Sequence, residues 1–164
     1  MKNNLHKMHS DFGIKYPLAK ETINQDDINA LIDWLKTNPR LTMSELTKEF
    51  EQKWANYIGT KYAVFTNSGS SANLLMINTL IQSGKLKSKK IIVPAVSWST
   101  TISPIIQFGY EPIMVDADEK TFGIDLDQTE ELLKNGDIGG IIFVQVLGVP
   151  HYKDRLLELC DQYD

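Results

Sequence analysis

Two apolar runs, Ile91-Ile92-Val93 and Ile141-Ile142-Phe143-Val144, contain no polar position. A strand with one face in water alternates apolar and polar residues, so a run without alternation belongs to a strand covered on both faces. A parallel sheet between two helix layers meets that condition. From Lys61 onward such segments alternate with helix-length stretches. Strands are expected at Ala63–Thr66, Lys90–Val93, Pro112–Val115 and Gly140–Val146. Helices are expected at Ser71–Ser83, about Thr100–Phe108, Asp127–Lys134 and Lys153–Tyr163. Gly84 and Gly109 stand where the first two helices should stop. Asp125 or Asp127 suits the cap of the third. Pro104 must either lie in the first turn of its helix or kink it. The reading is an α/β doubly wound domain.

Before Lys61 the periodicity is helical. Ile28, Leu31, Ile32 and Leu35 fall on one helix face, with Asn24 as cap and Asn38-Pro39 as end. Leu46, Phe50, Trp54, Tyr57 and Ile58 form a second stripe, which Gly59 ends. Thr42 or Ser44 can cap it, and Glu45 lies at the capping-box offset from Thr42. Three regions result: a polar mobile arm at 1–15, a helical segment at 16–60, and an incomplete α/β cofactor-binding domain at 61–164. The last is incomplete because the chain stops at the end of a helix that should feed another buried strand, leaving a sheet edge open.

Composition narrows the function classes. A net charge of −4 gives no electrostatic argument for nucleic acid or an anionic membrane. No apolar run approaches the ~20 residues of a membrane span, and the N-terminus lacks the apolar centre of a signal peptide. One cysteine, Cys160, excludes an internal disulfide and fits a reducing cytoplasm.

The stretch Thr66-Asn67-Ser68-Gly69-Ser70-Ser71-Ala72-Asn73 joins an expected strand to an expected helix. The first turn of that helix leaves N–H groups unpaired, and the helix dipole adds positive charge there. The site therefore suits a phosphate, each such interaction contributing about 0.3–1 kcal/mol on a surface. Gly69 permits close backbone approach, and Ser70 and Ser71 add hydroxyls. The same residues also suit a plain strand-to-helix turn. They match neither a Walker A loop nor a dinucleotide fingerprint. After the next strand comes Pro94-Ala95-Val96-Ser97-Trp98-Ser99-Thr100-Thr101, again at a strand's carboxyl end, where open α/β sheets bind ligands. Trp98 reads either as a packing residue or as a ring covering a flat ligand, worth about 0.5–1.5 kcal/mol beyond burial. A phosphate cup beside an aromatic plate would hold a phosphorylated aromatic cofactor.

These residues carry a resemblance. Leu41-Thr42-Met43, Phe50-Glu51, Tyr57-Ile58-Gly59, Tyr62-Ala63, Asn67 to Asn73, Val93-Pro94-Ala95, Trp98-Ser99-Thr100 and Val115-Asp116-Ala117-Asp118 occur in the order and spacing of the DegT/StrS family. That family consists of pyridoxal-phosphate (PLP) enzymes of nucleotide-sugar metabolism. The resemblance covers roughly Tyr16 to Asp164. It implies part of a type I PLP-dependent transferase large domain, a mostly parallel sheet sandwiched by helices, with a helical N-terminal segment. It implies that Gly69, Ser70 and Ser71 meet the phosphate of pyridoxal 5'-phosphate and that Trp98 stacks on its ring. It implies the N-terminal portion of a PLP-dependent aminotransferase acting on a nucleotide-linked keto-sugar with an amino-acid amino donor, with a nucleotide-sugar 3-dehydratase as the alternative, and a homodimer in the complete protein. The run Asn67-Ser68-Gly69-Ser70-Ser71-Ala72-Asn73-Leu74-Leu75 resembles the branch containing sugar 3-dehydratases of lipopolysaccharide pathways, alongside true aminotransferases. Tyr16-Pro17-Leu18-Ala19 matches the family's entry segment. Gln145-Val146-Leu147-Gly148 departs from it, since many members have His where Gln145 stands, and Gln145 is assigned no role.

The family's acid for the pyridine nitrogen and its Schiff-base lysine, or the histidine that replaces it in the dehydratases, are expected beyond Asp164. No catalytic residue is therefore assigned in this chain. For the chain alone, only weak PLP binding is expected. The alternatives are a non-catalytic remnant and an unrelated nucleotide-binding domain in which Trp98 stacks a base. Other candidates have plainer accounts. His6 and His9 lie in the polar arm without a further ligand, so no metal is expected. His151 reads as a cap or solvent-facing residue, Cys160 as core, and Asp116 and Asp118 as turn formers. Ser97, Ser99 and Thr100 lack the His and Asp of a hydrolytic triad.

Overall fold

The structure is a computed structural model that describes residues 22–163. The arm at 1–15 with His6 and His9, and the Tyr16–Ala19 segment, lie outside the described residues. The chain divides into two compact units, one up to Phe65 and one from Thr66.

The first unit holds α1 (Gln25–Lys36) and α2 (Glu45–Ile58). Asn24 starts α1 with a capping box: its Oδ1 accepts from the N–H of Asp26 at 2.7 Å and of Asp27 at 3.2 Å, and Asp27 Oδ2 accepts from the N–H of Asn24 at 2.9 Å. Two of the orphan donors of the first turn and the cap's own N–H are thereby satisfied. At α2 the cap is Ser44, which makes no side-chain bond. The alternative box from Thr42 does not form, because the helix starts at Glu45 and Thr42 lies two residues before its cap; Thr42 Oγ1 accepts from Arg40 Nε at 2.7 Å instead. Gly59 ends α2 in the left-handed region at φ 76°, a conformation that costs a side-chain-bearing residue. The apolar stripe of α1 stays about half exposed, and no residue of that helix is buried.

The expected strand Ala63–Thr66 forms no ladder. Among the described residues it has no strand partner, and the Phe65 N–H goes instead to Glu51 Oε1 at 2.8 Å. The Phe65 ring sits edge-on to Phe50, with centroids 5.4 Å apart.

The second unit contains α3 (Gly69–Gln82), β1 (Lys90–Pro94), α4 (Ser99–Gln107), β2 (Glu111–Val115), α5 (Leu126–Lys134), β3 (Gly140–Ile141), a 3-10 turn (Val146–Gly148) and α6 (Lys153–Tyr163). The sheet is parallel with order β2-β1-β3. Along β1 the side chains alternate between two cores. Ile92 packs with Val115, Ile124, Leu126, Leu156 and Leu159 beneath α5 and α6. Ile91 and Val93 pack with Ile77, Ile105 and Ile142 beneath α3 and α4. Both faces of β1 are thus covered, as its unbroken apolar run requires. Burial of each such side chain contributes about 1.5–3 kcal/mol.

The third strand is shorter than the expected Gly140–Val146. Ile142 still donates to the Ile92 carbonyl at 2.8 Å. In the register Ile92↔Ile141 the next donor from β1 toward β3 would be the nitrogen of residue 94, and residue 94 is a proline. Proline has no N–H, so the ladder ends there.

Pro104 does not lie in the first turn: it is the sixth residue of α4, and the helix continues to Gln107. The carbonyl it leaves without its i+4 donor belongs to Thr100, and Asn73 Nδ2 of α3 donates to that carbonyl at 3.3 Å. A side chain from the neighbouring helix thus replaces the missing intrahelical bond. In α6, Leu156 and Leu159 are buried but Cys160 is exposed. The expectation of a core cysteine is corrected: the helix turns it to the rim while the two leucines fill the interior.

Candidate functional site

The start of α3 is built by Ser68. Its backbone is extended (φ −162°, ψ 159°), and its Oγ accepts from the N–H of Ser71 at 3.1 Å. The Ser68 carbonyl accepts from the N–H of Ala72 at 3.0 Å. The Ser68 hydroxyl donates to Ser71 Oγ at 3.2 Å, and Thr66 Oγ1 donates to the Ser68 carbonyl at 3.0 Å. These bonds leave the N–H groups of Gly69 and Ser70 without a partner among the described residues. The Ser70 hydroxyl is likewise uncommitted and exposed. A Cβ at Gly69 would meet nothing within 4 Å, so the space above this glycine is open.

Ser70 and Ser71 line a cleft of about 210 Å³ together with Leu74 from α3 and Thr100, Ser103, Pro104 and Gln107 from α4. Its walls carry hydroxyls, an amide and two apolar surfaces, and no charged side chain. The positive end of a helix dipole meets this cleft at Ser70 and Ser71, in the first turn of α3. The Asn73–Thr100 bond ties the first turns of α3 and α4 together beside it.

The predicted site residues are only partly brought together by this cleft. Ser70 and Ser71 line it, whereas Gly69 and Trp98 do not. Trp98 is the cap residue of α4, one residue before its first turn, and is 76% exposed. Its carbonyl accepts from the N–H of Thr101 at 2.9 Å. The plain packing account of this indole is thus removed within the described residues. Ser97, just before it, has a buried hydroxyl with no hydrogen-bond partner among the described residues. Sequence reading named both Asn73 and Ser97 but gave neither of these roles to them. A proline four residues after Thr100 signals a carbonyl in need of a donor, but not which residue supplies it.

The residues at the start of α3 fit the phosphate of PLP. Two unpaired amides and adjacent hydroxyls at a dipole's positive end are the donor set a phosphate dianion uses. The orphaned Ser97 hydroxyl adds a buried polar atom in the neighbouring loop.

The remaining candidates fall elsewhere. His151 is buried at 7% exposure, which corrects the expectation of a cap or solvent-facing residue. Its Nδ1 lies 2.5 Å from Thr121 Oγ1, and its ring packs near Phe143 and Tyr152. Asp118 is a turn former: its Oδ1 accepts from Thr121 Oγ1 at 2.8 Å and from the N–H groups of Thr121 and Lys120 at 2.8 and 3.0 Å. The Thr121 hydroxyl foremost, then the Thr121 N–H, hold the Asp118 carboxyl below its usual range; burial opposes them, and the Lys120 N–H adds a lesser lowering. Burial pushes the Cys160 thiol up, away from a reactive thiolate. Among the described residues no group of three His, Cys, Asp or Glu could hold a metal ion. None of the described helices is long and apolar enough to cross a membrane.

Residues 21–164 match the DegT/DnrJ/EryC1/StrS aminotransferase family. The chain is 40% identical over 154 residues to a GDP-4-keto-6-deoxy-D-mannose 3-dehydratase of Yersinia pseudotuberculosis, covering 92% of this chain and 39% of that protein. It is 33% identical over 109 residues to a 3-oxo-glucose-6-phosphate:glutamate aminotransferase of Bacillus subtilis, covering 66% of this chain and 24% of that protein. The solved structure of E. coli GDP-4-keto-6-deoxy-D-mannose-3-dehydratase with bound hydrated PLP superposes with a TM-score of 0.81 at 38% identity, covering 90% of this chain and 38% of that one. The chain thus spans under two-fifths of the length of these relatives. With an α/β sandwich in common and the match running through nearly all described residues, the chain belongs to the DegT/DnrJ/EryC1/StrS aminotransferase family, whose relatives include PLP-dependent sugar aminotransferases and sugar 3-dehydratases.

Proposed function

We propose that this chain supplies the phosphate-holding and ring-covering part of a PLP-dependent enzyme acting on a nucleotide-linked keto-sugar. The observation that carries this reading is the pair of unpaired amides at Gly69 and Ser70, opening a helix beside the Trp98 loop. Those amides and the Ser70 and Ser71 hydroxyls hold the phosphate. The exposed indole of Trp98 covers one face of the ring and keeps water from it. Gly69 is required neither by its backbone angles nor by a protein contact, which leaves close ligand approach as its physical reason. When bound, the cofactor supplies an electron sink for bonds that break beside the sugar ketone. This chain's residues bind, orient and shield; the groups that would move protons at the reacting carbon have no candidate among them.

Of the two chemistries, removal of the C3 hydroxyl is favoured over transamination. The 40% identity over 154 residues is to a 3-dehydratase, against 33% over 109 residues to an aminotransferase. The transaminase reading would add an amino-acid donor such as glutamate. Both readings place the chain in the cytoplasm, in surface-polysaccharide biosynthesis and in a homodimer.

The test is equilibrium binding of pyridoxamine 5'-phosphate, which has no aldehyde to react with surface lysines, against GDP. Pyridoxamine phosphate should bind, weakly, and Trp98→Ala should weaken it by about 3- to 10-fold, in line with roughly 0.5–1.5 kcal/mol for stacking. Preferential GDP binding that is lost in Trp98→Ala would replace this reading by a nucleotide site. In a complete protein that carries this segment, product mass separates the two chemistries: incubation with PLP, glutamate and a GDP-linked 4-keto-6-deoxyhexose yields a sugar lacking one oxygen, or one carrying an amino group.

A further inference from the structure

The loops after β2 and β3 both hold a bulky residue in the left-handed region. Phe122 has φ 57°, and Leu147 in the 3-10 turn has φ 54°. Such residues avoid this region for steric reasons and remain there only where their surroundings over-determine them. Leu147 is 88% exposed, so packing of its own side chain does not hold it. The surroundings that join these two loops are polar and buried. The Thr121 hydroxyl donates to Asp118 Oδ1, so its oxygen must accept from His151, whose Nδ1 therefore carries the proton. The same oxygen also accepts from the N–H of Gly123 at 3.3 Å, which completes its bonding capacity. The imidazole lies against Gly123 so closely that a Cβ there would come 2.6 Å from His151 Cγ. The 118–123 loop is closed behind the ring by the Ala117↔Ile124 bridge and by the bond from Asp118 N–H to the Gly123 carbonyl.

We infer that His151 is a latch: its Nδ1–H, bonded through Thr121 to Asp118, pins the Gln145–Gly148 turn in place at the carboxyl rim of the sheet. Among the described residues the turn has two short-range backbone bonds of its own, from Gly148 to Gln145 and from Val149 to Val146, both 3.1 Å. His151 follows it by three residues and anchors its far end. As a positioning residue for the rim, its relevance to ligand binding rests on the function proposed above. The latch itself is tested without any ligand.

The test is amide hydrogen exchange of the whole chain, with Gly148 and Val149 reporting the turn and Ile92 and Ile142 reporting the sheet. In His151→Leu, exchange at Gly148 and Val149 should rise by about tenfold or more while Ile92 and Ile142 stay protected, the pattern of local opening. His151→Asn, whose amide N–H can take the place of Nδ1–H, should restore protection to within about twofold, and Gly123→Ala should mimic the leucine variant. In the unsubstituted chain, imidazole ¹⁵N shifts should report the Nδ1–H tautomer. An Nε2–H tautomer, an asparagine variant as open as the leucine one, or equal increases in turn and sheet would each overturn the latch. These outcomes do not depend on whether pyridoxamine phosphate binds.

Discussion

Ser70 is the residue at which the account is most exposed to test. It is exposed, lines the cleft, and its N–H in the first turn of α3 has no partner among the described residues. Ser70→Asp sets a fixed negative charge where a phosphate should sit, and pyridoxamine phosphate affinity should fall by about tenfold or more. The fold should be untouched, as judged by far-UV circular dichroism. Asp118 makes a different statement. Its carboxyl is held low by the Thr121 hydroxyl and adjacent amides. A carboxylate with a depressed folded-state pKa contributes stability above its unfolded range and loses it as pH falls through the folded value. Asp118→Asn should therefore be less stable than the native chain at neutral pH, with the gap narrowing in acid, as denaturant midpoints across pH would show. At this scale Gly69, Ser70, Ser71 and Trp98 were legible as candidates because small residues between a strand and a helix have a direct chemical meaning. His151 and Cys160 were not. A single His in the loop before a helix, or a single Cys on one, carries no periodic partner to say which side of the rim it falls on.

At the scale of elements, capping was readable where a polar side chain could reach its own helix. Asn24 with Asp27 formed the box its spacing permits, and replacing Asn24 with Ala should cost α1 about 1 kcal/mol. The Thr42 alternative failed because the helix begins two residues later, with Ser44 at the cap. Strand ends were less legible, since a ladder ends where its partner ends. The β3 ladder stops at a proline on β1, more than forty residues away in sequence. Pro94→Ala should restore a donor, and its new amide should be protected from exchange if it reaches the Ile142 carbonyl. The Ala63–Thr66 strand depended on a partner that sequence pattern cannot locate.

At the scale of the molecule, the absence of alternation in Ile91-Ile92-Val93 was enough to call for helices on both faces, and the two cores on either side of β1 bear this out. Ile92 has no exposure and lies between the layers, so Ile92→Ala should destabilise the second unit by about 2–5 kcal/mol in denaturant titration. The most direct measurement on the central claim is an amide ¹H–¹⁵N titration of the chain with pyridoxamine 5'-phosphate and, in parallel, with pyridoxamine. A phosphate held at the start of α3 should move the Gly69 and Ser70 amide signals with the phosphorylated compound and leave them unmoved with the other. Amides at 69 and 70 that stay in place at saturation, or that respond equally to both compounds, would contradict the account.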